Sequence, residues 1–178
     1  MPRPLLGILL LVAVVLMGCG GRDTASGPPA AAVGLDAQGA LHPSESDRCP
    51  VCAMTVADRP MVCGAETDDG RTYYFCGTGC LLKSLLHPDV YLAARAVDRA
   101  VVTEYFGGRS WPADQAVWVA GSDVVGAMGP MMVPLADAAE VEPFQARHGG
   151  ASVFRLEDLD DALWQQLTGK PAVRGDAR

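Results

Sequence analysis

Two closely spaced cysteine pairs constrain the fold of this chain more than any other feature of its sequence. Two residues separate Cys49 from Cys52, and three residues, two of them glycine, separate Cys76 from Cys80. Such a short gap lets both sulfurs of a pair turn toward one ion, and glycine lets the backbone bend around that ion. A fold that joins the pairs through a metal must bring two distant segments together.

The cysteines have more than one possible chemical state. Four thiolates at these spacings can form a tetrahedral zinc site. In an exported chain, the same thiols can instead oxidise to disulfides. Cys63 lies within a strand pattern and is expected to be a buried apolar residue.

Methionines near the cysteines and in a later loop add a softer kind of ligand. Met54 lies two residues after Cys52, and Met128 stands in the glycine-flanked segment Gly126–Pro130, which has no apolar period. A thioether binds zinc and calcium poorly but binds copper(I) well alongside thiolates. The alternative is that these methionines fill gaps in the core. The sequence therefore favours copper(I) while leaving the role of Met128 open.

The N-terminus has the pattern of an export and lipidation sequence. The apolar run Leu5–Met17 is too short to span a bilayer as a helix and fits the central region of a signal peptide. It ends at Leu16-Met17-Gly18-Cys19, which resembles a bacterial lipoprotein box. We expect residues 1–18 to be removed and Cys19 to be lipidated. The mature protein is then anchored to a bacterial membrane and faces the periplasm. Gly20 resembles the residue found at this position in lipoproteins sorted to the outer membrane.

Composition suggests that the folded part is flanked by two unstructured segments. Residues 19–46 are rich in glycine, alanine, proline and serine, so we expect a flexible tether there. Residues 171–178 are expected to be a disordered tail. The formal net charge of −7 argues against a nucleic-acid partner and against electrostatic membrane binding, so lipid chains must provide the anchor.

The order strand–strand–helix–strand occurs twice along the folded part. This pattern predicts an α+β fold of two small ββαβ units in tandem, covering residues 47–108 and 109–170, with a C-terminal helix. The predicted elements of the first unit are strands Pro60–Glu66, Arg71–Phe75 and Val101–Tyr105 and helix Cys80–Leu86. Those of the second are strands Ala116–Ala120, Met131–Leu135 and Ala151–Arg155 and helix Asp137–Arg147, followed by the final helix Glu157–Thr168. Pro143 conflicts with the second helix, because proline kinks helix interiors.

Several segments together resemble one known family. Arg48–Met54 resembles the Cys-X-X-Cys-Gly-Met motif of the NosL family, lipoproteins that serve nitrous oxide reductase. Ala53 replaces the usual glycine, and Cys80 is an additional cysteine. The likeness continues, in order, through Tyr74–Cys76, Val101–Tyr105, Trp111–Ala113, Gly126–Gly129 and His148–Gly150. Residues 49–92 also resemble a YHS or TRASH metal-binding module, in which two cysteine pairs precede Pro-Asp-X-Tyr.

The resemblance implies a copper(I) metallochaperone and not an enzyme. Its copper would go to the copper–sulfide centre of nitrous oxide reductase, and its partners would include other copper-handling membrane proteins. Carried over by motif, Cys49, Cys52 and Met128 are the expected copper ligands, with Met54 next. The YHS likeness leaves two possibilities for Cys76 and Cys80, which either join the first pair around one ion or act separately as a zinc pair or disulfide.

Two other functions fit part of the same pattern. A structural zinc module of the YHS type would use all four cysteines. A thiol–disulfide oxidoreductase would use Cys49 and Cys52, but that chemistry favours a first cysteine at a helix N-terminus. Pro60 follows Cys52 closely and leaves little room for a full helix.

The anchor gives a first prediction. Cys19→Ser removes the thiol that lipidation requires, so the variant is expected to stay unprocessed or to leave the membrane fraction. Copper binding by the folded part is expected to be unchanged. Fractionation and intact mass measure the first effect, and a variant that remains lipidated would contradict the assignment of Cys19.

Overall fold

A computed structural model of the chain describes residues 27–173, which form two main antiparallel sheets, a small two-stranded hairpin and several short helices. The expected signal peptide and Cys19 lie outside the described residues. None of the helices within residues 27–173 is long and apolar enough to cross a membrane.

The first sheet has four strands in the order β2-β1-β3-β4. Its strands are β1 (Cys63–Thr67), β2 (Thr72–Phe75), β3 (Val97–Thr103) and β4 (Ser110–Pro112). Helices α1 (Thr78–Leu86) and α2 (Pro88–Tyr91) connect β2 to β3. Helix α1 ends where it does because a proline disfavours helical geometry at the residue before it, here His87.

The second sheet has three strands in the order β8-β5-β9. Its strands are β5 (Val117–Ser122), β8 (Val133–Leu135) and β9 (Gly149–Arg155), and helix α3 (Val141–His148) connects the last two. A small hairpin, β6 (Val125–Gly126) and β7 (Gly129–Pro130), lies between β5 and β8. The predicted mixed fold of helices and small sheets is confirmed. In each sheet, the first strand of the predicted unit lies between its second and third strands.

Two of the predicted helices are divided near their N-termini. The stretch predicted as Asp137–Arg147 starts with a 3-10 turn, Ala138–Glu140, that Asp137 caps, and continues as α3. Pro143 falls in the first turn of α3, where proline is tolerated because the N–H groups there lack intrahelical partners. The last helix, α4, spans only Asp161–Thr168, since Asp160 caps it by accepting a hydrogen bond from the backbone N–H of Leu163.

The two units are joined into one body, and their boundary differs from the predicted one. Strand β4 pairs with β3, and Trp111 stands opposite Val102, so residues 110–112 complete the first sheet. The expected boundary between residues 108 and 109 is therefore wrong. The largest hydrophobic cluster also combines Phe75 and Leu81 of the first unit with side chains from the second unit and α4, namely Trp118, Phe154 and Trp164.

Part of the expected flexible tether packs against the first sheet. The backbone N–H of Ala31 donates to the carbonyl of Thr72 over 2.8 Å. Side-chain atoms of Leu35 and Leu41 lie 2.9 and 2.8 Å from where a Cβ on Gly64 would stand, so they occupy a groove that only glycine leaves open. The tether prediction is wrong for this stretch. Two leucines are enough to hold it in place, because the sheet already has a groove into which they pack.

The start of the predicted disordered tail is also packed. Ala172 is buried, and the hydroxyl of Tyr91 donates a hydrogen bond to its carbonyl. The tail prediction is therefore wrong for residues 171–173, while residues 174–178 lie outside the described part of the chain.

The packed N-terminal stretch gives a second prediction. Leu41→Ala is expected to lower the free energy of unfolding by about 1–3 kcal/mol, less than a fully buried leucine, because Leu41 is only partly buried. Val33→Ala, in the same stretch but 52% exposed, is the matched control and is expected to change it by less than about 0.5 kcal/mol. Denaturant unfolding measures both, and equal small effects would show that the stretch is a free tether.

Candidate metal centre

All four paired cysteines meet at one point of the fold. The sulfurs of Cys49, Cys52, Cys76 and Cys80 all lie within 4.8 Å of one another. Cys52 Sγ is 3.4 Å from Cys76 Sγ and 4.0 Å from Cys80 Sγ, and the last two sulfurs are 3.8 Å apart. Four sulfurs around a tetrahedral ion at about 2.3 Å stand about 3.8 Å apart, so the group fits a single soft ion.

The first pair is presented by a tight turn. The N–H of Cys49 donates to the carbonyl of Met54 over 2.9 Å, and the N–H of Ala53 donates to the carbonyl of Cys49 over 2.8 Å. These bonds curl the chain so that both cysteine sulfurs face the same side. Ala53 has a φ of 61°, in the left-handed region that favours glycine. That geometry explains why the resembling motif usually has glycine here and why alanine costs some stability.

The second pair lies where β2 passes into α1. Cys76 follows β2 directly, Gly77 precedes the first residue of α1, and Cys80 lies in the first turn of this helix. Both residues therefore lie close to the N-terminal end of α1. No other atom lies within 4 Å of where a Cβ on Gly77 or Gly79 would stand, so this side of the bend is open.

Hydrogen bonds among the cysteines shift the pKa values of their thiols in opposite directions. Hydrogen bonds from the thiols of Cys76 and then Cys80 hold the pKa of Cys49 well below its usual range. The bond to Cys49 is also the largest cause that raises the pKa of Cys76 and the pKa of Cys80. A metal ion that binds all four sulfurs needs them as thiolates, so its affinity falls as the pH falls.

The described cysteines are all thiols. The five cysteines between residues 27 and 173 are free, and the sulfur separations in the cluster are well above the length of about 2.05 Å for a disulfide. Cys63 lies apart from the cluster in β1 and is fully buried, as expected, and this burial raises the pKa of its thiol. The structure therefore shows the cluster in the reduced state that a metal site needs.

Met128 lies beside the cluster but not inside the core. It stands in the turn between β6 and β7, and 60% of its surface is exposed, which excludes the alternative that it fills a core gap. It lines a cavity of 850 Å³ together with Cys52 and Cys80, and another of 510 Å³ together with Cys76 and Cys80. Met54 instead packs against the larger hydrophobic cluster, and its role as a ligand stays a prediction.

No histidine or carboxylate joins the four cysteines among the residues that the structure describes. The three histidines each pair with an aspartate elsewhere, at distances of 2.8 to 3.3 Å: His42 with Asp36, His87 with Asp161 and His148 with Asp123. The donor set of the candidate centre is therefore sulfur alone.

The sequence pattern did not predict the small hairpin that carries Met128. Gly126 and Gly129 flank a two-residue turn, and Gly129 has a φ of 105°. Two glycines separated by two residues are a sequence signal for a hairpin. The signal is weak here, because each strand is only two residues long and shows no alternation of apolar and polar residues. The cavities that the hairpin shares with the cysteine cluster follow from how the two units pack.

The chain is similar to known proteins over most of its length. The family model described as NosL matches residues 40–164. A copper-binding lipoprotein NosL from Stutzerimonas stutzeri is 29% identical over 167 residues, which cover 89% of this chain and 81% of the relative. The crystal structure of the copper chaperone NosL from Shewanella denitrificans matches with a TM-score of 0.58 at 23% identity, over 76% of this chain and 99% of that one. This last likeness shows a shared fold.

Proposed function

Because the chain belongs to the NosL family, we propose that it is an extracytoplasmic copper(I) metallochaperone anchored to a membrane by lipid. The observation that carries the proposal is the group of four cysteine sulfurs within 4.8 Å of one another. The anchor is supported by the lipoprotein-like sequence at Cys19 and by the relative described as a copper-binding lipoprotein. The orientation toward the periplasm and the outer-membrane location rest on the sequence pattern.

An all-sulfur donor set favours copper(I) as the bound ion. Thiolates and thioethers are soft ligands, and the exposed thioether of Met128 stands on two cavities that reach the cluster. Both relatives are named for copper, one as copper-binding and one as a copper chaperone. These descriptions also agree with the expectation that the chain is not an enzyme.

The uneven burial of the sulfurs supports transfer rather than permanent storage. Cys49, Cys76 and Cys80 are at most 3% exposed, whereas Cys52 is only partly buried. Cys52 and Met128 also share the 850 Å³ cavity. An incoming sulfur ligand from a recipient can therefore reach the ion at Cys52 first, while the buried sulfurs still hold it. Such stepwise exchange needs no closed cage, because ligand softness already selects the metal.

A structural zinc module is the second candidate, and the same four sulfurs support it. Their separations suit a zinc site with four thiolate ligands, and three of the four are buried as in a closed structural site. The geometry argues against an oxidoreductase that uses Cys49 and Cys52 as an isolated pair, because their sulfurs share one group with those of Cys76 and Cys80.

Metal titrations of variants separate these functions. Each of Cys49→Ser, Cys52→Ser, Cys76→Ser and Cys80→Ser is expected to weaken copper(I) binding by several orders of magnitude in an anaerobic competition assay, because a hard hydroxyl replaces a soft thiolate. Met128→Leu is expected to weaken copper(I) binding less and to leave zinc binding unchanged, since thioethers bind zinc poorly.

Cys63→Ala is the matched control, because it removes a buried thiol outside the cluster, and it is expected to leave copper(I) affinity unchanged. Tight zinc binding without preference for copper(I) would contradict the chaperone and favour the structural module. Reduction of insulin disulfides that depends on Cys49 would favour the oxidoreductase.

The proposed recipient is the copper–sulfide centre of nitrous oxide reductase, on the basis of the family motifs. Protein loaded with copper(I) is expected to supply copper to metal-free nitrous oxide reductase faster than an equal amount of copper(I) held by glutathione. Copper analysis of the separated proteins measures transfer, and equal rates for loaded protein and glutathione would contradict directed delivery.

A further inference from the structure

Three methionines line the 510 Å³ cavity next to the cysteine cluster, namely Met61, Met128 and Met131. We propose that their thioethers form a second copper(I) site, weaker than the thiolate cluster, through which the ion passes on its way in or out. This inference rests on the proposed function as a copper(I) chaperone. It assigns a role to Met61 and Met131, which the motif resemblance leaves without one.

The cavity lies between two walls that are held together independently of any metal. One wall is the segment Cys76–Cys80, and the other is the stretch 124–131, which contains the hairpin. The buried hydroxyl of Thr78 donates a hydrogen bond of 2.7 Å to the carbonyl of Met132, directly after the second wall. The distance between the thiolates and the methionines is therefore set by the fold.

Two contacts place methionine side chains along the second wall. The sulfur of Met131 lies 3.5 Å from where a Cβ on Gly126 would stand, so it faces the hairpin whose turn carries Met128. Met61 packs against the small hydrophobic cluster that contains Met131. All three methionines therefore border the same space from neighbouring positions.

The other residues that line this cavity make it unsuitable for a hard cation. They include no histidine, aspartate or glutamate, and the one charged side chain is Arg59, whose Nε donates to the carbonyl of Thr55. Away from Cys76 and Cys80 on the first wall, a divalent ion such as zinc would meet only thioether sulfur and a positive charge, whereas copper(I) is soft and monovalent. Neutral thioethers bind copper(I) less tightly than thiolates, so an ion held there can exchange with Cys76 and Cys80 on the first wall without any change of oxidation state.

The neighbouring methionines 131 and 132 provide an internal control. Each is 6% exposed, but they point to opposite sides of the chain. Met131 belongs to the small cluster and lines the cavity, whereas Met132 belongs to the large cluster and does not line it. Replacing either by leucine keeps the side-chain volume nearly constant while removing the sulfur.

The test is an anaerobic copper(I) titration of the whole folded protein with 13C-labelled methionine methyl groups. The first equivalent is expected to enter the thiolate cluster, and the second is expected to shift the methyl signals of Met61 and Met131. The methyl signals of Met54 and Met132 are expected to stay in place. A second equivalent that leaves the Met61 and Met131 signals unmoved would overturn the proposal.

Affinity measurements on variants give an independent readout. Met61→Leu and Met131→Leu are each expected to weaken the second binding event by about tenfold or more. Loss of a residue that only supports a metal ligand already lowers metal affinity by about that factor. Met132→Leu is expected to leave both events unchanged. Unchanged second binding in both cavity variants would overturn the methionine site while the proposed function stands. Failure of the first equivalent to bind tightly would instead overturn the proposed function.

Discussion

Four cysteine sulfurs crowded within 4.8 Å tie together a turn, the end of a strand and the first turn of a helix. Three of these sulfurs are buried, so without metal the site can carry little negative charge, and its thiols hydrogen-bond to Cys49 instead. A soft ion replaces those hydrogen bonds with metal–sulfur bonds and releases protons. Metal binding and the stability of this part of the fold are therefore linked.

The second unit places the exposed thioether of Met128 at a cavity shared with the cysteines, without joining the cluster itself. Trp118 and Phe154 extend one hydrophobic cluster from the first unit into the second, and Thr78 bonds across to Met132. The hairpin with Met128 is consequently held beside the thiols before any metal arrives. A rigid cluster with an exposed thioether at its edge suits a protein that must bind an ion selectively and still give it up.

Much of the fold could be predicted, and the failures share one physical cause. Asp69-Gly70 marks the first hairpin and Pro88 ends α1, because both signals rest on local chain geometry. The mixture of helices and small sheets was also predictable, whereas the repeat of two ββαβ units stays a prediction. The packing of residues 31–42 and the presence of strand β4 could not be predicted. Both segments become ordered only by packing or pairing with strands of the first sheet. Leu35 and Leu41 have a place to pack only because Gly64 leaves a groove in a sheet built from later residues.

The sequence by itself determined that cysteine sulfur carries the chemistry, since the spacing of Cys49 with Cys52 and of Cys76 with Cys80 limits each pair to one small region. Only the tertiary structure decided that the two pairs meet at one point and that Met128 lies exposed beside them. The physical reason is distance along the chain. Residues a few positions apart are placed by backbone geometry, whereas residues in separate elements are placed by how the two sheets and their helices pack.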